Sequence, residues 1–484
     1  MTQHQVELFA AIFSPRSIAV VGVSSNEDNM AAGYIRSLLN AGFQGALYPV
    51  GPRGDHLFGL KVYPNAPALP AGVDYAIICV AAPQVPEVVG DLGAKGVKVA
   101  HIYAAGFRES GREGYHLERE VVARAQQAGL HIVGPNSMGV SCPASRIPYG
   151  SVGRVGEPGS VVFFSQSAGL AGDLEQEGLN RHLRFSKLVS FGNGCDLGIA
   201  DYLGYFMADP ETRIIGAYLE GVGQGQQFLR LAKEIRGRKP LVVWKGGTTR
   251  AGAEAAASHT GAMAMPDAIF RGAVKQVGAV LVESLEEMAD TLLAFQQLGR
   301  WQGKRVAIVS GIGGGGGGLS VSACDVCAKF ALEVPPFGQE TFSQLLSYLS
   351  PVGRILRNPV DMGGGGYTLE TMGCCLQAAL NDPNIDALIV QEHLGKIVHH
   401  AGMARAEAIN KIIAQIAVGS SKTVAVVCTP GLAFRDLPAI ETALAQAGIA
   451  VFPTFMRAAR SLSNIGTYWQ SQTGDRLQVA QGKG

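Results

Sequence analysis

Three times along the chain, a short apolar run leads through a turn into a helical pattern, and the cycle then repeats with further runs. Apolar runs of four to six residues that alternate with helices predict a parallel β-sheet covered by helices on both faces. No fixed period relates the three cycles, which argues against a solenoid. We therefore predict an α/β protein made of three doubly wound domains of the flavodoxin or Rossmann type.

The length of 484 residues fits about three domains of ordinary size. We predict domains over residues 1–145, 150–298 and 304–465. The predicted strands of the first domain are 17–22, 46–50, 75–80, 97–102 and 131–134; those of the second are 159–164, 188–191, 214–219 and 240–244; those of the third are 305–310, 387–390, 423–427 and 449–452.

Composition excludes several classes of protein. Hydrophobic residues make up 47% of the chain and charged residues 16%, which excludes general disorder. The 40 basic and 39 acidic residues give a net charge of +1, which argues against a nucleic-acid binder. No apolar run is long enough to cross a membrane and the N-terminus lacks a signal-peptide pattern, so we expect a cytoplasmic protein.

The eight cysteines are dispersed, and several lie in apolar runs. This pattern favours buried free thiols over disulfides or a metal site. Cys324 and Cys327 have CxxC spacing, but no second pair accompanies them. We expect no metal site in the chain.

The turn after the first predicted strand contains Gly22, Ser24 and Ser25. In open α/β sheets, a phosphate meets a helix N-terminus at this position. The full GxGxxG pattern is absent, and the second strand leads to Arg53 rather than to an acidic residue that would hold a ribose. The segment therefore indicates a nucleotide site that suits a phosphate better than it suits NAD. A turn without any ligand is the alternative.

The segments 18–53, 80–83, 105–107 and 134–139 together resemble the CoA-binding domain of succinyl-CoA synthetase α chains. The resemblance is closer to the NDP-forming acyl-CoA synthetases (acetate–CoA ligase, ADP-forming), and it continues to about residue 465. It implies a Rossmann-like CoA-binding domain followed by two flavodoxin-like domains, of which the first carries a phosphohistidine loop and the second is a ligase-CoA domain.

The resemblance also implies a set of CoA contacts. Ser24 and Ser25 would lie by the CoA phosphates, Arg53 would meet the phosphoadenosine end, and the segment 80–83 would border the pantetheine arm. The family usually has Asn at the position of Gly51 and Cys at the position of Ser137. The implied CoA-binding residues are Gly22, Ser24, Ser25, Arg53, Val80, Ala82, Pro83, Gly106 and Asn136.

His259 lies in a stretch of small residues, 251–264, whose centre is Ser258-His259-Thr260-Gly261. Small residues let a backbone move and let a phosphate approach closely. A neutral imidazole is a good nucleophile for phosphoryl transfer near pH 7. The segment matches the family's phosphohistidine loop. Glu220 matches the acidic partner that orients the histidine, although an ordinary carboxylate at a strand end is the alternative.

A phosphohistidine also needs positive dipoles around its phosphoryl oxygens. The segment Ser165, Gln166, Ser167, Ala168 and Gly169 precedes a predicted helix, whose free N–H groups can bind a phosphate. The family commonly reads Ser-Gln-Ser-Gly here. Asn193 and Asp196 follow the next strand and match a family loop near the active site, but they could equally be turn residues.

A glycine run, 311–318, follows the first strand of the third predicted domain. It lacks the Gly-Lys-Ser/Thr ending of a Walker loop. In the family, this run and the segment 358–361 belong to a ligase domain that faces the acyl-phosphate region. We expect contacts to substrate or partner here rather than direct catalysis.

The resemblance implies the α-type chain of an enzyme that converts a carboxylic acid, CoA and NTP into acyl-CoA, NDP and phosphate through an acyl phosphate and a phosphohistidine. No segment resembles an ATP-grasp module, so Mg-nucleotide would come through a partner chain, in an oligomer. Two alternatives remain. One is a CoA-dependent acyl transferase or lyase that uses no nucleotide, and the other is a non-catalytic CoA-binding regulator. The intact segment 258–261 weakens the second alternative.

Overall fold

A computed structural model describes residues 2–24, 26–52, 56–260, 265–363 and 367–481, without the side chains of 258–260 and 473–481. The chain forms two compact units. One unit comprises Met1–Leu179 and Arg184–Leu285, and the other comprises Asn180–Leu183 and Glu286–Gly484. The first unit contains two large sheets and the second contains one.

The first sheet has five parallel strands, and a two-stranded hairpin accompanies it. The strands are β1 (Ser17–Val21), β2 (Ala46–Val50), β3 (His56–Leu57), β4 (Leu60–Lys61), β5 (Tyr75–Ile78), β6 (Val99–Ile102) and β7 (His131–Val133). The order in the sheet is β2-β1-β5-β6-β7, and β3 pairs with β4 as the hairpin. The strand order reverses beside β1, which is where open α/β sheets bind ligands.

The second sheet has six strands. They are β8 (Gly139–Ser141), β9 (Val161–Ser165), β10 (Phe185–Ser190), β11 (Ile214–Leu219), β12 (Leu241–Lys245) and β13 (Val280–Val282). The order is β13-β12-β11-β9-β10-β8, and all pairs are parallel except that of β8 with β10. The carboxyl ends of β9 to β12 therefore open at one edge of the sheet.

The third sheet has five parallel strands. They are β14 (Val306–Ile312), β15 (Val360–Asp361), β16 (Ala387–Glu392), β17 (Thr423–Cys428) and β18 (Ala450–Phe452). The order is β15-β14-β16-β17-β18. This is again a doubly wound order, with the reversal beside the first strand.

Helices connect the parallel strands and cover the sheets. The helices of the first unit are α1 (Gln3–Phe13), α2 (Met30–Ala41), α3 (Val85–Ala94), α4 (Arg112–Ala128), α5 (Ala168–Asn180), α6 (Ile199–Ala208), α7 (Gly225–Ile235), α8 (Arg250–Thr260) and α9 (Asp267–Gln276). Those that follow are α10 (Leu285–Leu298), α11 (Gly316–Lys329), α12 (Gln339–Tyr348), α13 (Leu369–Asn381), α14 (Leu394–Ala401), α15 (Met403–Val418), α16 (Leu437–Gln446) and α17 (Phe455–Gln481).

The three doubly wound sheets confirm the predicted α/β class. The predicted strands all form, with ends that shift by a few residues, but β3, β4, β8, β13 and β15 were not predicted. These five strands have only two or three residues each, which is too short for an apolar run to signal them. Helix α17 continues to Gln481, beyond the predicted end of the third domain at residue 465. Every helix within the described ranges is too short or too polar to span a bilayer.

Candidate functional site

The start of α5 forms a tight turn at the carboxyl end of β9. The Ser165 hydroxyl donates to the Ser167 carbonyl oxygen at 2.7 Å and accepts from the Ser167 N–H at 3.0 Å. The Gln166 N–H donates to the Tyr218 carbonyl oxygen at 3.2 Å. Two of the predicted phosphate donors are thus already bonded within the protein. The N–H groups of Ala168 and Gly169, in the first helical turn, remain the donors that a helix offers to an anion.

Gln166 connects this turn to Glu220. The side-chain oxygen of Gln166 accepts from the Glu220 N–H at 2.6 Å and from the Gly221 N–H at 3.1 Å. Gln166 is 6% exposed and Glu220 is 5% exposed. Buried N–H groups need partners, so this bond fixes the strand end that carries Glu220 against the start of α5. The structure therefore joins the predicted phosphate-binding turn to the backbone of Glu220, the residue predicted to orient the histidine.

Glu220 lies against the end of the neighbouring strand, β12. The Tyr218 hydroxyl donates to a Glu220 carboxylate oxygen at 3.4 Å, and burial together with the Glu220 charge raises the pKa of Tyr218. A Cβ placed on Gly246 would lie 2.2 Å from the Tyr218 hydroxyl and 3.2 Å from Cγ of Glu220. Only a glycine fits here without displacing these side chains. Gly246 and Gly247 then lead into α8.

His259 belongs to the last turn of α8, and its side chain lies outside the described part of the structure. Lys245, which is buried at the end of β12, anchors the entry to this segment. Its ammonium group donates to the carbonyl oxygens of Gly246 at 2.9 Å and of Gly247 at 3.2 Å. Burial lowers the pKa of Lys245, and the charge of Asp267 opposes this shift. A contact between Glu220 and His259 stays a prediction.

A cavity of about 570 Å³ opens beside the buried Gln166 side chain. Loops after β9, β10 and β11 contribute to its wall, and one residue of the first sheet's domain, Arg108, joins them. The cavity wall has three amide side chains, the Arg108 guanidinium and the Asp196 carboxylate as well as apolar surface, which suits a small polar molecule with an apolar part. The lining residues are Arg108, Gln166, Phe191, Asn193, Gly194, Cys195, Asp196, Gly198, Ile199, Gly221, Val222, Gly223, Gln224 and Met265.

The predicted phosphate end of the CoA site lies at the turn after β1. Gly22 has a φ of +110°, and a Cβ on it would lie 2.7 Å from the Cys79 carbonyl oxygen, so the position requires glycine. The Ser24 hydroxyl accepts from the Asn29 side-chain amide at 2.8 Å, and Asn29 caps α2 through the Ala32 N–H. Ser25 and Arg53 lie outside the described residues.

The remaining predicted CoA-binding residues include the predicted pantetheine border, 80–83, together with Gly106 and Asn136. Val80, Ala82 and Pro83 follow β5, and a Cβ on Gly106 would lie 3.2 Å from Cβ of Ala82. Asn136 has a φ of +57°, and its N–H donates to the Ala104 carbonyl oxygen at 2.9 Å. These three segments follow β5, β6 and β7, so they lie at the carboxyl edge of the first sheet. Their contact with CoA stays a prediction.

Gly51 and Ser137, which stand where the family usually has Asn and Cys, both have local structural explanations. A Cβ on Gly51 would lie 1.9 Å from the Val23 carbonyl oxygen, so this backbone has no room for an asparagine. The Ser137 hydroxyl donates to the Ser190 carbonyl oxygen at 2.6 Å and accepts from the Gly139 N–H at 2.9 Å. A thiol makes only weak hydrogen bonds, so serine suits these two partners better than cysteine does.

The glycine run of the third sheet meets a carboxylate at the start of α11. A Cβ on Gly316 would lie 2.1 Å from a carboxylate oxygen of Asp361, and that oxygen accepts from the Gly363 N–H at 2.7 Å. Asp361 is buried. The protein's own carboxylate thus lies against the first residue of α11. The expected contacts of the run to substrate or partner stay a prediction.

No pattern in the sequence indicates Arg108, Glu109 and Glu118, whose side chains hold the loop after β10. The sequence also leaves Asn193 open between a turn residue and a site residue. In the structure, Asn193 is 2% exposed, and its side chain bonds to both Glu109 and Glu118. Neither carboxylate belongs to a short motif, because Glu109 lies in a single 3-10 turn, Arg108–Ser110, and Glu118 is one of several acidic residues of α4. Only tertiary structure brings them together.

Three protein families match successive parts of the chain. The CoA binding domain matches residues 16–143, the succinyl-CoA ligase like flavodoxin domain matches residues 158–295, and the Ligase-CoA domain matches residues 306–458. This order of domains defines a class of CoA-dependent ligases in which a CoA-binding domain, a succinyl-CoA ligase like flavodoxin domain and a Ligase-CoA domain follow one another on one chain.

Relatives and solved structures narrow the class. The chain is 34% identical over 378 residues to the α subunit of acetate–CoA ligase [ADP-forming] II of Pyrococcus furiosus, covering 78% of this chain and 80% of that subunit. It is also 34% identical over 472 residues to acetate–CoA ligase [ADP-forming] I of Archaeoglobus fulgidus, covering 96% of this chain and 64% of that protein.

An acetyl-coenzyme A synthetase 1 of Ca. Korarchaeum cryptofilum, solved in complex with phosphate and ADP, has the same fold. Its TM-score is 0.83 at 32% identity, over 97% of this chain and 99% of that chain. The chain therefore belongs to the ADP-forming acyl-CoA synthetases, a family of acid–thiol ligases.

Proposed function

We propose that the chain is the α-type subunit of an NDP-forming acyl-CoA synthetase, in which His259 carries a phosphoryl group. The bond network at Gln166 is the observation that carries the proposal. One buried amide side chain joins the start of α5, which suits a phosphate, to Glu220, which suits a histidine partner. Gln166 and Gly221, the residue after Glu220, both line the same cavity. A CoA regulator without chemistry has no need for this arrangement.

In the proposed reaction, a nitrogen of the His259 imidazole attacks the terminal phosphorus of the nucleotide, and NDP leaves. A carboxylate oxygen of the acid substrate then attacks the phosphohistidine, which gives an acyl phosphate and free histidine. The CoA thiol, after losing its proton, attacks the acyl carbon and inorganic phosphate leaves. The first helical turn of α5 would stabilise the phosphoryl oxygens through N–H groups that are already oriented.

Glu220 would accept a hydrogen bond from the ring nitrogen that does not take the phosphoryl group. This contact would fix the tautomer and would stabilise the positive charge that develops on the ring. Because Glu220 is buried and its strand end is fixed by Gln166, little reorganisation would be needed at the moment of transfer.

We propose that an ATP-grasp chain supplies the Mg-nucleotide site. Two relatives support this division: one is named as an α subunit, and another is a longer protein of which this chain spans 64%. The acid would be a small carboxylic acid. All eight cysteines are free in the structure, which agrees with a reducing compartment such as the cytoplasm.

Reconstitution tests the proposal. The chain alone should give no acyl-CoA from acetate, CoA and Mg-ATP, and adding the β-type chain should restore formation of acyl-CoA, ADP and phosphate in equal amounts. Turnover by the chain alone, or acyl-CoA formed without ADP, would contradict the proposed function. The second result would favour a nucleotide-independent transferase.

A further inference from the structure

A single amide side chain bridges two carboxylates across two sheets. Nδ2 of Asn193, in the loop after β10, donates to Oε2 of Glu109 at 2.6 Å and to Oε2 of Glu118 at 2.8 Å. Glu109 lies between β6 and α4, and Glu118 lies on α4. The first sheet's domain thus provides both acceptors, and the second sheet's loop provides both donors.

Arg108 completes the network and balances part of its charge. Its guanidinium donates to the Asn193 carbonyl oxygen, and another nitrogen of the group lies 3.5 Å from a Glu118 oxygen. Oδ1 of Asn193 is buried and has no hydrogen-bond partner among the described residues. An unbonded buried oxygen costs stability. The presence of an asparagine at position 193 is therefore best explained by the two N–H donors of its amide, which no carboxylate or apolar side chain could supply.

Glu109 extends the network to the predicted CoA site. Its other oxygen, Oε1, accepts from the Gly106 N–H at 2.6 Å and from the Phe107 N–H at 3.0 Å. Burial alone would raise the pKa of Glu109, but these bonds and the bond from Asn193 together lower it. The carboxylate is thus held in its charged form, and it joins the Gly106 turn to the loop after β10.

We propose that Asn193 and Glu109 are positioning residues that transmit CoA binding to the loop of residues 191–196, which contributes to the wall of the cavity. The inference rests on the proposed function, because it assigns CoA to the turn at Gly106. When that turn is held by CoA, Glu109 and Asn193 would hold the loop, and the cavity would take its reactive shape only with CoA in place.

The change Asn193→Asp keeps the shape of the side chain but replaces both donors with acceptors that face two carboxylates. With the partner chain present, kcat/KM should fall by about 10–100-fold, as expected when positioned groups shift by roughly 1 Å. CoA affinity should change far less, since Glu109 still holds Gly106. Asn40→Asp is the matched control, because Asn40 is exposed on α2. It should leave kcat/KM unchanged.

Hydrogen exchange separates positioning from a merely structural role, and it does not require turnover. CoA should slow amide exchange in residues 191–198 of the unaltered chain and of Asn40→Asp, but not of Asn193→Asp. Equal slowing in all three chains would overturn the positioning proposal, even if the ligase assay works. A ligase assay that fails while the exchange pattern holds would refute the proposed function alone.

The double variant Asn193→Asp/Glu109→Gln gives a second test. This test remains informative if Asn193→Asp alone destabilises the protein. The amide that replaces the carboxylate of Glu109 can donate to the new carboxylate, while its oxygen still accepts from Gly106. The kcat/KM of the double variant should exceed that of Asn193→Asp by at least about threefold, because contacting residues couple. Equal or lower activity in the double variant would show that the two side chains do not act together.

Discussion

Gln166 shows how one side chain sets the geometry of the candidate site. Resemblance to the family selects it as a backbone donor for phosphate, but its N–H is already bonded to the Tyr218 carbonyl oxygen. Its side chain instead caps the N–H groups of Glu220 and Gly221. A motif identifies the position of such a residue. It does not identify the partner, because that partner is 54 residues away in the sequence.

At the residue scale, Glu220→Gln tests the orienting role. Gln keeps the size of the side chain but removes the charge that would stabilise a phosphorylated imidazole. Phosphorylation of His259 should slow by about 10²–10⁴-fold, the range for positioned acid–base groups. CoA affinity, measured by calorimetry, should stay unchanged because Glu220 is not in the predicted CoA site. If His259 of the variant is phosphorylated at the normal rate, Glu220 has no orienting role and is an ordinary carboxylate at a strand end.

At the scale of elements, the apolar runs and turns predict the strands that fill the three sheets. The apolar runs do not predict β8 and β15. These strands have three and two residues, and they add to sheet edges through backbone hydrogen bonds. The predicted site segments follow β1, β5, β9 and β11, and parallel strands bring such ends to one edge of each sheet. The Asn193 network could not be predicted, because it depends on how a loop and a helix from different sheets meet.

Helix α5 gives a prediction that depends on pH. Burial raises the pKa of Glu175 to about 7, against a hydrogen bond from Ser141 that lowers it. The folded chain therefore keeps a proton that the unfolded chain releases near pH 4.5, so the stability of the folded state falls as pH rises from about 4.5 to 7.

Glu175→Gln removes this titration and should stabilise the protein above pH 7, by on the order of 1–3 kcal/mol, and progressively less toward pH 5. Thermal melts across this pH range provide the measurement. Asp173→Asn, an exposed position on the same helix, is the control and should show no such trend. A constant difference between Glu175→Gln and the unaltered chain would contradict the assignment.

At the scale of the whole molecule, the chain combines a CoA-binding domain, a succinyl-CoA ligase like flavodoxin domain and a third sheet whose glycine run lies against the Asp361 carboxylate at Gly316. Two segments of the sequence resemble nucleotide-binding turns, the turn at Gly22 and the glycine run 311–318, and their surroundings in the structure differ. The turn at Gly22 stays a predicted ligand site, while the run at 311–318 meets the Asp361 carboxylate at Gly316.

The sequence of the first sheet's domain predicts that the chain prefers CoA to NAD. Calorimetry should show CoA binding to the chain and little binding of NAD, because β2 does not end in the acidic residue that would hold a ribose hydroxyl of NAD. Ser24→Ala should weaken CoA binding by a few-fold, on the order of one lost hydrogen bond. A preference for NAD would contradict the assignment of the first sheet.

The central claim is that His259 carries a phosphoryl group, and direct labelling tests it. The chain should take up one phosphoryl group from labelled ATP in the presence of the partner chain, in a form that is labile to acid and stable to base. His259→Ala should lose the label, whereas the exposed-site control His400→Ala should retain it. Full labelling of the His259→Ala chain would contradict the mechanism and would favour a CoA-dependent transferase or a regulator.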